Sequence, residues 1–418
     1  MSEISHEDRG DKWIPFEVEK DFSREGVIAQ WADDHPAHWG AEDHLIPHDS
    51  AVSSACLSPD ERLLAVRTRE AVNIYSVDDY SLRQVLKAPA DKYTSLEWRP
   101  GQKNPGNYWV LSGSQQRTEK AAPQAMLWEL DGAGRREENG HEFVIEGASF
   151  AFGSKAFSHS GDDILLSFAD FPHSPKTDSA TYAVDVWNTS ISKRRMRLEG
   201  HTKSIVWAGF SPNDEIIASS SFDKTLKLWS SATGNLLHSL GPSNWQNWGA
   251  AFSPNGHFIA HGTGSRLCIW EVETGTEHVL FHSVGGGWVR SVSWSPDGSH
   301  VAFGGMSGLV SIRNAQTRDV VQERRRRVEG AREELLTETQ SIEWIDNGKK
   351  ILFFAGRDFG IELYDVKENK KWRFAPSKEQ HRRVQDRPHA MQQALWCNSR
   401  RLVICLDADN AVRFWHLL

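Results

Sequence analysis

The chain has 418 residues, 25% of them charged and 10% aromatic, with a formal net charge of −8, which excludes a wholesale basic surface built for nucleic acid. No apolar run approaches the ~18 residues that span a bilayer, and the opening MSEISHEDRGDKW has no signal-peptide core, so the expectation is a cytosolic or nuclear protein without membrane contact. The four cysteines, Cys56, Cys268, Cys397 and Cys405, make no Cys-x-x-Cys pair and suit reduced core thiols better than a disulfide or zinc site.

Residues 1–50 are polar, with apolar anchors at 13–16 and 27–31. The run DDHPAHWGAEDHLIPH places His35, His38, His44 and His48 near Asp33, Asp34 and Asp43. Its spacing matches no closed zinc pattern, so loop histidines are expected and no metal or other cofactor is assigned. Eight similar units follow, at about 51–87, 91–145, 148–198, 201–240, 243–281, 285–322, 338–375 and 390–418. Each has an apolar run ending in an aromatic corner, a second apolar run, a polar turn, and a third run closing on a large side chain. The closing residues are Tyr75, Trp128, Trp187, Trp229, Trp270, Arg313, Tyr364 and Trp415, spaced 41 to 59 residues apart, with Arg313 standing where an aromatic is expected.

Segments such as 216–220, 225–229, 267–270 and 301–303 are short, β-branched or aromatic, and bounded by Asp, Asn, Gly and Pro, which predicts strands joined by tight turns. Insertions interrupt the rhythm at 115–124, 171–181, 323–336 and 376–388. The third is dense in helix formers and predicts a short helix. It carries Arg324, Arg325, Arg326 and Arg327, which read either as a localisation or phosphate-binding run or as a solvated face balanced by glutamates.

The unit GHTKSIVWAGFSPNDEIIASSSFDKTLKLW, residues 200–229, closely resembles the WD-repeat family: Gly200-His201, Phe210-Ser211-Pro212, Asp223 and Trp229 stand where its motif expects them. The next unit lacks the turn Asp, and the one after it lacks both turn Asp and closing Trp. The resemblance extends over about residues 50–418 through its strand rhythm. It implies an all-β fold, a β-propeller of eight four-stranded blades or of seven plus an appended unit. Single units cannot bury both faces and must stack. The last unit ends too early for a fourth strand, so that strand is expected from the N-terminal segment, within residues 27–46.

The family's hydrogen-bonded set maps to His201, Asp223, Ser219 or Ser221, and Trp229. It matches a catalytic triad in residue types only, because a strand-internal Ser has no oxyanion arrangement, and no catalytic residue is assigned. By alignment on Phe210, Trp248, Trp288, Arg290, Met306, Arg357, Phe222 and Trp245 are expected on one rim, with the composition of a protein-binding hot spot. The reading that follows is a non-catalytic scaffold binding a peptide or protein, as part of a multisubunit complex. The alternative is a hydrolase or lyase using a central channel, for which the residues entering the innermost strands offer Glu338 as an acid without a neighbouring His.

Overall fold

Each repeat folds locally because its apolar runs alternate with turn-forming Ser, Asp, Asn and Gly. The Ser-Pro corner shows how. In the computed structural model, Ser58, Ser211, Ser253 and Ser295 each donate a hydroxyl hydrogen bond to the Asp or Asn two residues on (2.5–2.7 Å). Each also accepts the N–H five residues on, from Leu63, Ile216, Phe258 and His300 (2.9–3.0 Å). One side chain thereby closes the turn and starts the second strand.

The structure describes residues 16–32, 37–38, 42–89, 94–101, 107–114, 124–136, 142–146, 155–167, 182–282, 288–305, 309–328, 341–355, 360–375, 393–407 and 410–417. The fold is all-β: eight of the nine sheets among the described residues are the blades of a β-propeller, and the ninth is the small ribbon Ser23–Arg24 with Val27–Ile28. The chain divides into two compact units. One, Asp43–Asn247 with Asp386–Leu418, carries blades 1–4 and 8; the other, Met1–Glu42 with Trp248–Gln385, carries blades 5–7.

Every closing residue lies on the third strand of its blade and pairs with an apolar residue of the second strand. The pairs are Tyr75 with Leu64, Trp128 with Val110, Trp187 with Ile164, Trp229 with Ile217, Trp270 with Ile259, Arg313 with Val301, Tyr364 with Ile351 and Trp415 with Val403. These second-strand partners are all fully buried, so the register is pinned by the core.

In the first unit, blade 8 comprises Gln393–Cys397, Leu402–Asp407 and Ala411–His416, and it takes its fourth strand from the N-terminal segment as expected. That strand is His44–Pro47, at the end of the anticipated window, pairing Val412 with Ile46 and Phe414 with His44. Blade 8 packs on blade 1 (Val52–Leu57, Leu63–Thr68, Ala71–Ser76, Leu82–Lys87), where the Glu61 carboxylate accepts the N–H groups of Asn398 (2.9 Å) and Ser399 (2.6 Å).

In the second unit the N-terminal segment adds strands to two blades. Phe16–Lys20 pairs with Val320–Val328, the outer strand of blade 6. Gln30–Trp31 and Ala37–His38 pair in parallel with Lys370–Ala375, the outer strand of blade 7. This corrects the expected helix over residues 323–328, which are strand, while residues 329–336 lie outside the described residues; the charges of Arg324 and Arg325 are paired within the fold. Arg324 is 2% exposed and pairs with Glu362 (2.9 Å) and Asp21 (3.4 Å), while Arg325 pairs with Glu323 (2.5 Å). Neither of these two arginines belongs to a solvated face. Phe22 stacks on Tyr364 (centroids 4.1 Å apart, planes at 10°) and meets Phe353 edge-on at 5.9 Å. Asp21 also pairs with Lys371, and the side-chain amide of Gln322 exchanges hydrogen bonds with the backbone of Ser23 (3.0 and 2.7 Å). The insertions at 171–181 and 376–388, and residues 115–123 of the first, lie outside the described residues.

Candidate partner-binding surface

Blade 4 holds the full polar set. A carboxylate can only accept and an indole can only donate, so the chain of bonds has one direction. Trp229 Nε1–H donates to Ser219 Oγ (2.9 Å), the Ser219 hydroxyl donates to His201 Nε2 (2.8 Å), and His201 Nδ1–H donates to Asp223 Oδ2 (2.7 Å). Ser219 is therefore the member of the set. Ser221 instead donates to the Lys203 carbonyl (2.9 Å) and accepts the Asp223 N–H (3.1 Å), shaping the turn. Burial pushes the Asp223 carboxyl up, but bonds from His201 and Thr225 and from the Thr202 N–H outweigh it and hold the group well below the ordinary carboxylate range. Ser219 is fully buried with both its functions used, so it is a structural hydroxyl and no nucleophile.

Blade 5 solves the same problem differently. At the position matching Ser219 stands His261, whose Nε2 accepts from Trp270 Nε1–H (3.0 Å). Burial depresses the His261 pKa to about 4. Alignment of IIAS with FIAH marks this position, but only the structure shows that the imidazole takes over the acceptor role. Glu97, on the first strand of blade 2, is a further acid that the sequence reading passed over. Burial raises it to about 7, and it accepts the Ala156 N–H at 2.7 Å.

Among the rim residues, the structure brings Trp248, Trp288 and Arg290 together. Trp248 lies on the first strand of blade 5 and Arg290 on the first strand of blade 6, which Trp288 immediately precedes. The guanidinium carbon of Arg290 sits 3.5 Å from the Trp248 ring centroid and 5.7 Å from that of Trp288. The two rings lie 5.8 Å apart at 46°. All three side chains are half-buried. Glycines fix their depth: a Cβ on Gly262 or Gly305 would stand 2.5 Å from the carbonyl oxygen of Val289 or Trp288, and one on Gly249 would stand 2.9 Å from that of Arg290. Larger residues would push the backbone carrying Trp288 and Arg290 away from Trp248.

Trp245, 56% exposed, and Phe222, half-buried with its N–H bonded to the Ser204 carbonyl (3.0 Å), belong to the other compact unit. Met306 and Arg357, like Glu338, lie outside the described residues. Of the N-terminal histidines, His44 stacks on Tyr80 (4.1 Å) and His48 meets Tyr75 edge-on (5.8 Å), while His35 falls outside the described residues. Among the described residues no group of three or more His, Cys, Asp or Glu could hold a metal ion, and no helix is long and apolar enough to cross a membrane. All four cysteines are free thiols.

The family model "WD domain, G-beta repeat" matches residues 192–230 and 277–314. The first stretch contains the complete polar set, and the second ends one residue past Arg313. The chain belongs to the WD-repeat β-propeller family. Its relatives include the WD repeat-containing protein SL1-17 of Schistosoma mansoni, 28% identical over 44% of this chain and 58% of the relative. They also include the small ribosomal subunit protein RACK1y of Oryza sativa subsp. japonica, 29% identical over 37% of this chain and 48% of the relative. A third, the U3 small nucleolar RNA-associated protein 21 of Saccharomyces cerevisiae, is 36% identical over 19% of this chain and 9% of its own length. The chain thus spans about half, or less, of the relatives it matches. Among solved structures, the computationally designed Ika8 protein superposes with a TM-score of 0.62 over 89% of this chain and 98% of its own, at 15% identity, which speaks for the fold alone. This WD-repeat chain keeps one near-consensus blade beside divergent ones.

Proposed function

We propose that this protein is a non-catalytic interaction scaffold that binds a peptide or protein partner through Trp248, Trp288 and Arg290. The observation that carries this reading is the Arg290 guanidinium stacked 3.5 Å over Trp248 with Trp288 beside it. Half-buried Trp and Arg held rigid by packing lose little entropy on binding, and such residues dominate interface energies, each costing roughly 2–4 kcal/mol when truncated. Relatives named for the small ribosomal subunit and for U3 small nucleolar RNA support membership of a multisubunit complex in the cytosol or nucleus.

The test is affinity purification from the native cell with the wild-type chain and with the Trp248→Ala, Arg290→Ala double variant, each checked for native circular dichroism. The reading expects a stoichiometric partner that the folded double variant loses. An unchanged set of bound proteins would refute it.

A further inference from the structure

A second surface, in the same compact unit, lies at the opposite end of the blade 6 strand that carries Arg290, about 20 Å along it. Here a cleft runs between blades 6 and 7. Its inner part, about 460 Å³, is lined by the turn Ser295–Asp297, His300, Ile312, Val321, Trp344 and Val366. Its outer part, about 500 Å³, shares Val321, Gly348 and Val366 and opens past Lys349, Lys367 and the N-terminal turn at Arg24.

The cleft exists because one tryptophan departs from the repeat's packing. At the same repeat position, Trp98 donates its indole N–H to the Cys56 carbonyl of the preceding blade (2.9 Å), and Trp294 donates to that of Ala251 (3.0 Å). Each closes its gap between blades. The corresponding acceptor for Trp344 is the Ser293 carbonyl, but the two meet only through the Trp344 backbone N–H and Ser293 Oγ (3.3 Å). Its indole N–H is sealed from solvent and has no acceptor among the described residues, and its ring lies beside His300 with centroids 6.2 Å apart.

The charges lining the mouth are mostly positive, Arg24, Lys349 and Lys367 against the single carboxylate of Glu25. Lys349 and Lys367 are exposed, and neither has an ion pair among the described residues. Arg24 donates to the Lys367 carbonyl and stands 4.0 Å from Glu25. The one carboxylate lining the inner part, Asp297, is already occupied by the hydroxyls of Ser295 (2.5 Å) and Ser299 (2.7 Å) and by the Ser299 N–H (3.0 Å). Beside the lysines the accessible wall is aliphatic, Val321 and Val366, with Ile312 fully buried behind it.

We infer that this cleft is a docking site for an extended acidic peptide segment. One apolar side chain packs against Val321 and Val366, and a neighbouring Asp or Glu meets Lys349 and Lys367. The two cavity volumes suit a few residues of chain, and the open mouth suits a peptide passing through.

The experiment is a random 12-residue peptide display selected on the full chain, with the enriched consensus then synthesised and its binding measured by fluorescence anisotropy. The expected consensus pairs Asp or Glu with one large apolar residue. It binds about tenfold or more weaker to Lys349→Glu, Lys367→Glu, whose exposed side chains leave folding intact. It binds the Trp248→Ala, Arg290→Ala variant as tightly as wild type. No acidic enrichment, binding indifferent to the lysine reversals, or equal loss in the Trp248, Arg290 variant would each overturn the inference. The last of these outcomes would assign the peptide to the rim and leave the rim reading standing.

Discussion

Blade 4 and blade 7 have the same strand order, yet they are held together by different residues. Blade 4 carries its own cement: His201, Ser219, Asp223 and Trp229 come from thirty consecutive residues and satisfy one another. Blade 7 has Phe353 where blade 4 has Ser219, and Tyr364 where it has Trp229, and its third strand is covered by Phe22 from more than three hundred residues away. A repeat that loses its internal polar set gains a free apolar and ionic edge, and the N-terminal segment occupies it. Local chemistry makes blade 4 self-sufficient. Long-range chemistry makes blades 6 and 7 dependent on the chain's beginning.

The substitution that should break this contrast most sharply is Arg324→Ala. It removes the guanidinium shared by Glu362 and Asp21, of which Asp21 keeps Lys371, and should cost about 3–5 kcal/mol. Hydrogen exchange should then speed up in residues 341–375 while residues 216–230 keep their protection. Next in size is Phe22→Ala, which empties the aromatic slot between Tyr364 and Phe353 and should cost about 3 kcal/mol in urea denaturation, again localised to blades 6 and 7. Ser219→Ala makes the mirror-image test. It strands the Trp229 N–H and the His201 ring and should cost roughly 1–3 kcal/mol, with exchange quickened in blade 4 alone.

The smallest effect distinguishes blade 5 from blade 4 by pH. His261 has a folded pKa of about 4 against 6.5 for the free side chain, so the unfolded chain takes up the proton first as the pH falls. Its contribution is intact above 6.5 and declines from there towards 4. His261→Ser, which places the blade 4 residue in blade 5, should flatten that decline in a denaturation series. Asp223 acts at lower pH: its depressed carboxyl stabilises the fold above the ordinary Asp pKa and loses that stabilisation on further acidification.

The difference between the blades also explains what the sequence could reveal. All eight closing residues occupy third strands, and the fourth strand of blade 8 comes from the N-terminal segment, because periodic apolar burial is written locally. The polar set of blade 4 was equally legible, since its members sit at fixed spacing. Residues 323–328 were not, because a strand rich in Arg and Glu is stable only with the pairing strand Phe16–Lys20 and the counter-charges Asp21 and Glu362, none of which lies nearby in sequence. Trp248, Trp288 and Arg290 could be nominated by alignment on Phe210. That Arg290 stacks on Trp248 depends on the glycine-to-carbonyl approaches at Gly249, Gly262 and Gly305, which spacing does not encode.

The most direct measurement is the affinity of the purified partner for the wild-type chain and for Arg290→Lys, by calorimetry at fixed salt. Lysine keeps the charge but lacks the planar group that lies against Trp248, so a shape-specific rim predicts a loss of about tenfold or more with the fold unchanged. Equal affinity for both chains would contradict the assignment of partner binding to the Trp248–Arg290 stack.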